Sequence, residues 1–290
     1  DMKATAVSAA SQTEYYVDPT YTGGGNNGSA ATPWTELGVV VGNAQWTAIN
    51  SALITNHVII YFSARQVASD TSEVITTELS VWRTNTSTNR LMLDGMSKYN
   101  TNDTTPSWLD YSGTAKFKIN KSSGSIGLGI EGVVATYPTN YTTIRGFEVT
   151  GSGARVLFAG NSSTLEHIYV HDTTGVGPTI LFHSAVKDFP DCTALFGNLS
   201  DITVRNNTVS KGSGEGIYIA SNYTYTSQGG CPSYGNGHLD VLIESNTLSD
   251  TGFVAGQGDG IDLKTGLIRV TVRNNLIERT TFGEFPNAIA

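Results

Sequence analysis

Glu215, Asp259, Asp262 and Lys264 are the residues of this 290-residue chain whose types and spacing suit chemistry. They sit in two matching phrases, Gly214-Glu-Gly-Ile-Tyr-Ile219 and Gly258-Asp-Gly-Ile-Asp-Leu-Lys264. Aligning the phrases stacks Glu215 on Asp259, with Asn287 next in the column. Side chains at i and i+2 share one face of a strand, so Asp262 and Lys264 project together. Carboxylates gathered in this way suit Ca²⁺, which takes six to eight oxygens. A lysine beside them with a lowered pKa suits removal of the proton next to a uronate carboxylate. A plainer account competes with this one. Gly-Glu-Gly and Gly-Asp-Gly are ordinary corner sequences, and an Asp near a Lys on a strand is commonly a solvated pair. His167, His171 and His183 lack metal-ligand spacing, and there is no P-loop, nucleophile elbow or Cys-x-x-Cys. Trp82, Trp108, Tyr218, Tyr223 and Tyr225 are candidates for lining a sugar groove, with core and loop packing as the competing role.

The elements that must position these residues are repeats. Five segments superimpose: Ile144–Val149, Leu165–Val170, Val204–Val209, Ile243–Leu248 and Val272–Ile277. Each is followed, after a Gly-rich corner, by a short apolar run: Val156–Phe158, Ile180–Phe182, Ile217–Ile219, Ile261–Leu263 and Ile289. Repeats of variable length around a constant motif predict a solenoid whose insertions loop out from a fixed cross-section. The expected fold is therefore all-β, a right-handed parallel β-helix with a short N-terminal capping helix. Two columns support the alignment. Arg145, Glu166, Arg205, Glu244 and Arg273 alternate in sign, which favours stacking at the roughly 4.8 Å spacing of parallel strands. Two places on, Phe147 and Ile168 give way to Asn207, Asn246 and Asn275, an expected amide ladder between coils.

Only 8 prolines and no long charged or Pro/Ser run interrupt the chain, so one elongated domain is expected. Residues 1–13 read as a loose arm, 14–72 as the N-terminal cap and first coil, and 73–290 as coils. Strands are expected at Glu14–Asp18 and Val58–Phe62, with irregular coils holding strands near Glu78–Trp82, Leu91–Leu93 and Ala115–Ile119. Trp46, Ile49 and Leu53 have helical spacing and place the capping helix over the first coil. A formal charge of −8 argues against a nucleic-acid partner, and no apolar run reaches the roughly 18 residues a membrane span needs. Cys192 and Cys231 lie 39 residues apart, as do the coils that start at 165 and 204. A disulfide between neighbouring insertions is expected, and with it an oxidising, extracellular setting. Asn27, Asn85, Asn102, Asn120, Asn140, Asn161, Asn198 and Asn222 head Asn-X-Ser/Thr triplets suited to N-glycosylation. Asn206 heads another but flanks the ladder.

Asp259-Gly-Ile-Asp262-Leu, followed by the Val-Thr-Val-Arg-Asn-Asn coil, resembles the right-handed β-helix polysaccharide lyases, especially family-nine pectate lyases. The resemblance covers most of the chain as architecture and about seven residues as motif. It implies Asp259 and Asp262 as calcium ligands. The family carries an Asp-Asp pair where this chain has Gly258-Asp259, and it draws its lysine from a later coil, a place that Lys264 does not fill. Nothing resembling a cap follows Val272–Ala290, so this end is expected to be covered by another molecule. These features together favour a secreted, N-glycosylated structural β-helix that stacks head-to-tail into an extracellular filament or layer. The alternative is a Ca²⁺-dependent polysaccharide lyase acting on uronate polymers, or a truncated or inactive relative that binds acidic polysaccharide.

Overall fold

The computed structural model describes residues 11–19, 21–38, 43–63, 79–81, 83, 87–100, 107–110, 116–121, 128–129, 140–151, 155–158, 160–174, 177–182, 199–219, 238–252, 258–264, 267–280 and 288–289. Three parallel sheets wrap around one core. The longest has eight strands, Gln12–Val17, His57–Phe62, Leu91–Asp94, Thr142–Arg145, Ser163–Glu166, Ser200–Arg205, Leu239–Glu244 and Ile268–Arg273. A second runs from Phe117–Asn120 through Phe147–Gly151, Tyr169–Thr173, Thr208–Ser210 and Thr247–Ser249 to Leu276–Glu278. The third runs from Leu79–Ser80 through Leu128–Gly129, Val156–Phe158, Ile180–Phe182 and Ile217–Ile219 to Ile261–Leu263. Among the described residues the one antiparallel pair is Ser97–Asn100 with Ser107–Asp110, a hairpin that no sequence pattern announced. This is a parallel β-helix.

The register is the one the repeats predict. Ile144, Leu165, Val204, Ile243 and Val272 are mutual partners along the long sheet. The column continues upstream through Leu93 and Ile60. Alternating apolar residues fill the inside, with Phe62, Phe117 and Phe147 meeting edge-on at 5.0–5.7 Å between centroids. The corners are set by backbone conformation. Tyr141, Ser162, Asp201, Asp240 and Arg269 all have φ between 49° and 57°, and so do His167, Asn206, Ser245 and Asn274 one corner on. That left-handed geometry is uncommon outside glycine, and repeating it in column turns each coil in the same way.

Part of the N-terminal edge, at Tyr16–Asp18, is covered by the chain itself. Tyr16 N donates to Gly28 O at 2.9 Å, and Trp34 N donates to Tyr16 O at 2.9 Å. The helix Ala44–Ala52 is capped by the Asn43 side chain, which accepts from Trp46 N, and it buries Trp46 and Ile49. The first strand starts at Gln12, so residues 12 and 13 belong to the sheet rather than to an arm; their main chain pairs with His57 and Val58. Residues 1–10 lie outside the described residues. At the opposite end, strands Ile268–Arg273 and Leu276–Glu278 are the outermost of their sheets, and Leu276 and Ile289 are each 51% exposed. No helix among the described residues is long and apolar enough to cross a membrane.

Charge and amide columns stitch the coils. Glu166 is in register with both Arg145 and Arg205, and Glu244 with both Arg205 and Arg273. The ion pairs form between one acid and the arginine of the next coil: Asp94–Arg145 at 2.6 Å, Glu166–Arg205 at 2.7 Å and Glu244–Arg273 at 2.7 Å. Such partly exposed pairs are worth about 0–1 kcal/mol each. Glu244→Ala should therefore lower stability by less than about 1 kcal/mol, read from a urea midpoint, whereas Glu244→Lys, which sets three cations in a row, should cost more.

Another charged cluster lies on the second sheet. Lys118 meets Glu148 at 3.3 Å, His171 lies between Glu148 (3.0 Å) and Asp172 (2.8 Å), and Lys211 reaches Asp172 at 3.1 Å. Tyr169 stacks on His171 at 4.3 Å. Burial alone would lower the His171 pKa, but the hydrogen bonds to Glu148 and Asp172 outweigh it and hold the pKa above the ordinary 6.5. Glu148 is held low because His171 and Lys118 outweigh its burial, and Asp172 is held low chiefly by its bond to His171. The histidine's contribution is thus full below its unfolded pKa and is lost as pH rises through the folded one. The carboxylates' contributions are lost as pH falls. His171→Gln should lower the urea midpoint most between about pH 5 and 6.5, with the difference shrinking toward pH 8.

Candidate functional site

The third sheet brings Glu215, Asp259, Asp262 and Lys264 together. Ile217 pairs with Ile261 and Tyr218 with Asp262, so Glu215 lies one coil before Asp259, and Gly216 N donates to Asp259 O at 2.9 Å. Glycine makes this closeness possible. A Cβ at Gly216 would meet Gly260 O at 2.6 Å, and one at Gly260 would meet Ala288 O at 2.7 Å. The Gly-Glu-Gly and Gly-Asp-Gly phrases therefore let neighbouring coils approach beside each acid. Asn287, expected next in that column, lies outside the described residues.

Glu215 is 2% exposed and Asp262 is 4% exposed. Lys264 Nζ lies 2.5 Å from Asp262 Oδ2 and 4.8 Å from the centre of the Tyr218 ring. Burial pushes the Glu215 carboxyl above its ordinary range; its own backbone hydrogen bond and Lys264 oppose this, while Asp262 and Asp259 reinforce it. Burial likewise raises the Tyr218 phenol, with Lys264 pulling the other way. Lys264 corrects an expectation. Its pKa is raised rather than lowered, because the hydrogen bond to Asp262 and the neighbouring Tyr218 and Glu215 outweigh its burial. An ammonium held in this way has no lone pair with which to take a proton.

Calcium is the ion that the resemblance implies for Asp259 and Asp262, and the described residues offer it no converging ligand set. Among the described residues no three His, Cys, Asp or Glu side chains converge so as to hold a metal ion. The Asp262 carboxylate is instead engaged by the Lys264 ammonium.

The amide ladder is built as a continuous chain. Asn207 Oδ1 accepts from Ile168 N at 3.0 Å, and Asn246 Oδ1 accepts from Asn207 N and Asn207 Nδ2, both at 3.0 Å. Asn275 Oδ1 accepts from Asn246 N and Asn246 Nδ2, both at 2.9 Å. Each Nδ2 also donates to a carbonyl of the preceding coil, Leu165, Val204 and Ile243 in turn. A shorter column of the same kind occupies another corner: Asn161 N donates to Asn140 Oδ1 at 2.8 Å, and Ser200 N to Asn161 Oδ1 at 2.7 Å. The sequence marks Asn140 and Asn161 only as glycan acceptors. The spacing of 21 residues between them and 39 to Ser200 was the missed signal. Asn27 is exposed and its Oδ1 accepts from Ser29 N at 3.0 Å; Asn120 ends a strand. Asn85, Asn102, Asn198, Asn222, Cys192 and Cys231 lie outside the described residues, as do His183, Tyr223 and Tyr225.

Stacked parallel coils with inward apolar columns and corner ladders define the class. The family described as "Right handed beta helix region" matches residues 108–284, more than half of the chain, and the chain belongs to it. Comparison with curated proteins and with solved structures finds no match.

Proposed function

We propose that the protein is a carbohydrate-active enzyme that cleaves glycosidic bonds at the Glu215–Asp259–Asp262–Lys264 cluster. One observation carries this reading: two carboxyl side chains, each less than 5% exposed, occupy neighbouring coils, and only one of them is engaged by an ammonium. Paired carboxyls in different environments are what acid and base roles require. Glu215 gives its proton to the glycosidic oxygen as the C–O bond breaks. Water adds to the anomeric carbon and loses a proton to Asp262, the carboxylate that Lys264 holds, while Asp259 offsets positive charge on the sugar ring. Tyr218 supplies an aromatic wall. The test is a panel of neutral, amino-sugar and uronate polysaccharides, followed by reducing-end release and chromatography. Release from at least one polymer supports the reading, and none from any removes it.

Lyase action on uronates with calcium is the other chemistry for this cluster, and the charged Lys264 speaks against its serving as the base. A structural role has its own support. The alternating charge column and the amide ladder, which hold each coil to the next, suit such a role. Against head-to-tail sheet continuation stands the C-terminal end of the first strand, where Tyr16 and Asp18 are already bonded to Gly28 and Trp34. A secreted, glycosylated setting is part of either proposal; it rests on the exposed Asn27 triplet and on the Cys192 and Cys231 spacing.

A further inference from the structure

We infer that Arg155 is a specificity-determining residue of the site proposed above, its guanidinium receiving an oxyanion group, a carboxylate or a sulfate ester, on a sugar that flanks the bond to be cut. Arg145, Arg205, Arg269, Arg273 and Arg279 each meet a carboxylate of the coil before at 2.6–2.8 Å. Arg155 breaks this pattern. Among the described residues no carboxylate or other acceptor meets it, and its Nε is enclosed and unpartnered. Its neighbour in register is alike. Val156 pairs with Ile180, which sets Arg155 beside Thr179. Thr179 is 0% exposed, and its Oγ1 is also enclosed and unpartnered. Buried polar groups are ordinarily paired, so two unpaired ones at neighbouring positions point to a guest with acceptor oxygens.

This corner leads to the acid. Thr179 N donates to Glu215 O at 2.8 Å. Arg155 Nη1 lies 3.4 Å from where a Cβ on Gly177 would stand, and a Cβ on Gly214 would stand 2.5 Å from Gly177 O. The guanidinium therefore rests against the coil on which Gly214 and Glu215 pack, with glycines rather than side chains between. Arg155 and Glu215 are two coils apart, roughly 10 Å at the spacing of parallel strands. A glycan laid along the axis with its scissile bond at Glu215 thus brings a flanking sugar to Arg155. The half-buried side chain offers that sugar a planar fork of N–H donors, which matches an oxyanion. Partial enclosure strengthens the contact over one in open water. The inference rests on the reading of the cluster as the reactive site, and the anion contact is measured apart from cleavage.

Isothermal titration calorimetry compares oligogalacturonate, a sulfated galactan oligosaccharide and a neutral galactan oligosaccharide, with inorganic sulfate as the free anion. At least one anionic oligosaccharide should bind wild-type protein about tenfold tighter than the neutral one, as charge-assisted hydrogen bonds allow. Arg155→Met should abolish that preference without weakening the neutral oligosaccharide. Arg155→Lys, which keeps the charge but not the fork, should keep part of it. Circular dichroism establishes that each variant is folded. Phenylglyoxal labelling of the wild type, mapped by peptide mass, needs no variant: the preferred oligosaccharide should protect Arg155 and leave the exposed Arg90 reactive. The inference is overturned by equal binding of anionic and neutral oligosaccharides, by a preference that survives in Arg155→Met, or by Arg155 left unprotected. Binding of sulfate without any oligosaccharide also overturns it, since the corner would then hold a free ion only. The enzymatic reading fails by a different result, no cleavage of any polymer in the panel. An Arg155-dependent preference would in that case stand as glycan binding alone.

Discussion

Asn246→Ala should destabilise the C-terminal coils by about 3–5 kcal/mol, because it leaves buried polar groups without partners at about 1–3 kcal/mol each. Asn246 is 1% exposed and stands in the middle of the ladder. Its Oδ1 satisfies Asn207 N, and its Nδ2 serves Val204 O and Asn275 Oδ1. Alanine removes all of these contacts and offers nothing in exchange. In a solenoid each coil contacts only its neighbours, so the loss is felt first by the coils on either side. Hydrogen exchange should therefore show the amides of Ile168, Asn207 and Leu276 losing protection together, ahead of Val58 and Ile60 in the first coil. Asn206→Gly is the control. Asn206 is exposed with φ 55°, a conformation glycine adopts without strain, so its effect should stay within about 0.5 kcal/mol. Equal effects from the two substitutions would show that the ladder does not hold the coils.

The coils from 144 onward were legible because the residues that fix their register recur in the sequence itself. Arg145, Glu166, Arg205, Glu244 and Arg273 announce a column, and so do Asn207, Asn246 and Asn275. Where a coil lacks those markers the sequence says less. Leu91–Asp94 carries no asparagine phrase, so Asp94 was not seen as the acid that begins the charge column. The hairpin formed by Ser97–Asn100 and Ser107–Asp110 interrupts the parallel pattern without a turn signal. The Lys118–Glu148–His171–Asp172–Lys211 cluster draws on four coils at irregular spacing, so no repeat reveals it. At the candidate site the grouping of Glu215, Asp259, Asp262 and Lys264 was legible from i, i+2 spacing and coil alignment. The protonation of Lys264 was not, since it depends on where Nζ comes to rest among Asp262, Tyr218 and Glu215.

Glu215→Gln should lower kcat by about 10²–10⁴-fold, the range set by loss of a general acid, and should change KM little. Glutamine keeps the shape and the hydrogen-bonding atoms but has no proton to give. The substitution should leave the melting temperature unchanged or slightly higher, since it removes an ionisable carboxyl from a site 2% exposed. The pH dependence follows from the direction of the Glu215 shift. The acid works only while protonated, so kcat/KM should fall as pH rises through a pKa above the ordinary carboxyl range. That alkaline limb should disappear in the residual activity of Glu215→Gln. A limb that persists in the variant would assign it to another group.

The central claim, that this cluster breaks glycosidic bonds by hydrolysis under the control of its own side chains, is tested most directly by the source of the oxygen in the product. Cleavage is run in ¹⁸O-labelled water with chelator present, and the new reducing ends are weighed by mass spectrometry. The account predicts one solvent oxygen in each new end, no unsaturated product absorbing in the ultraviolet, and loss of the signal in Glu215→Gln. Unlabelled reducing ends accompanied by unsaturated products, formed only when calcium is restored, would contradict it.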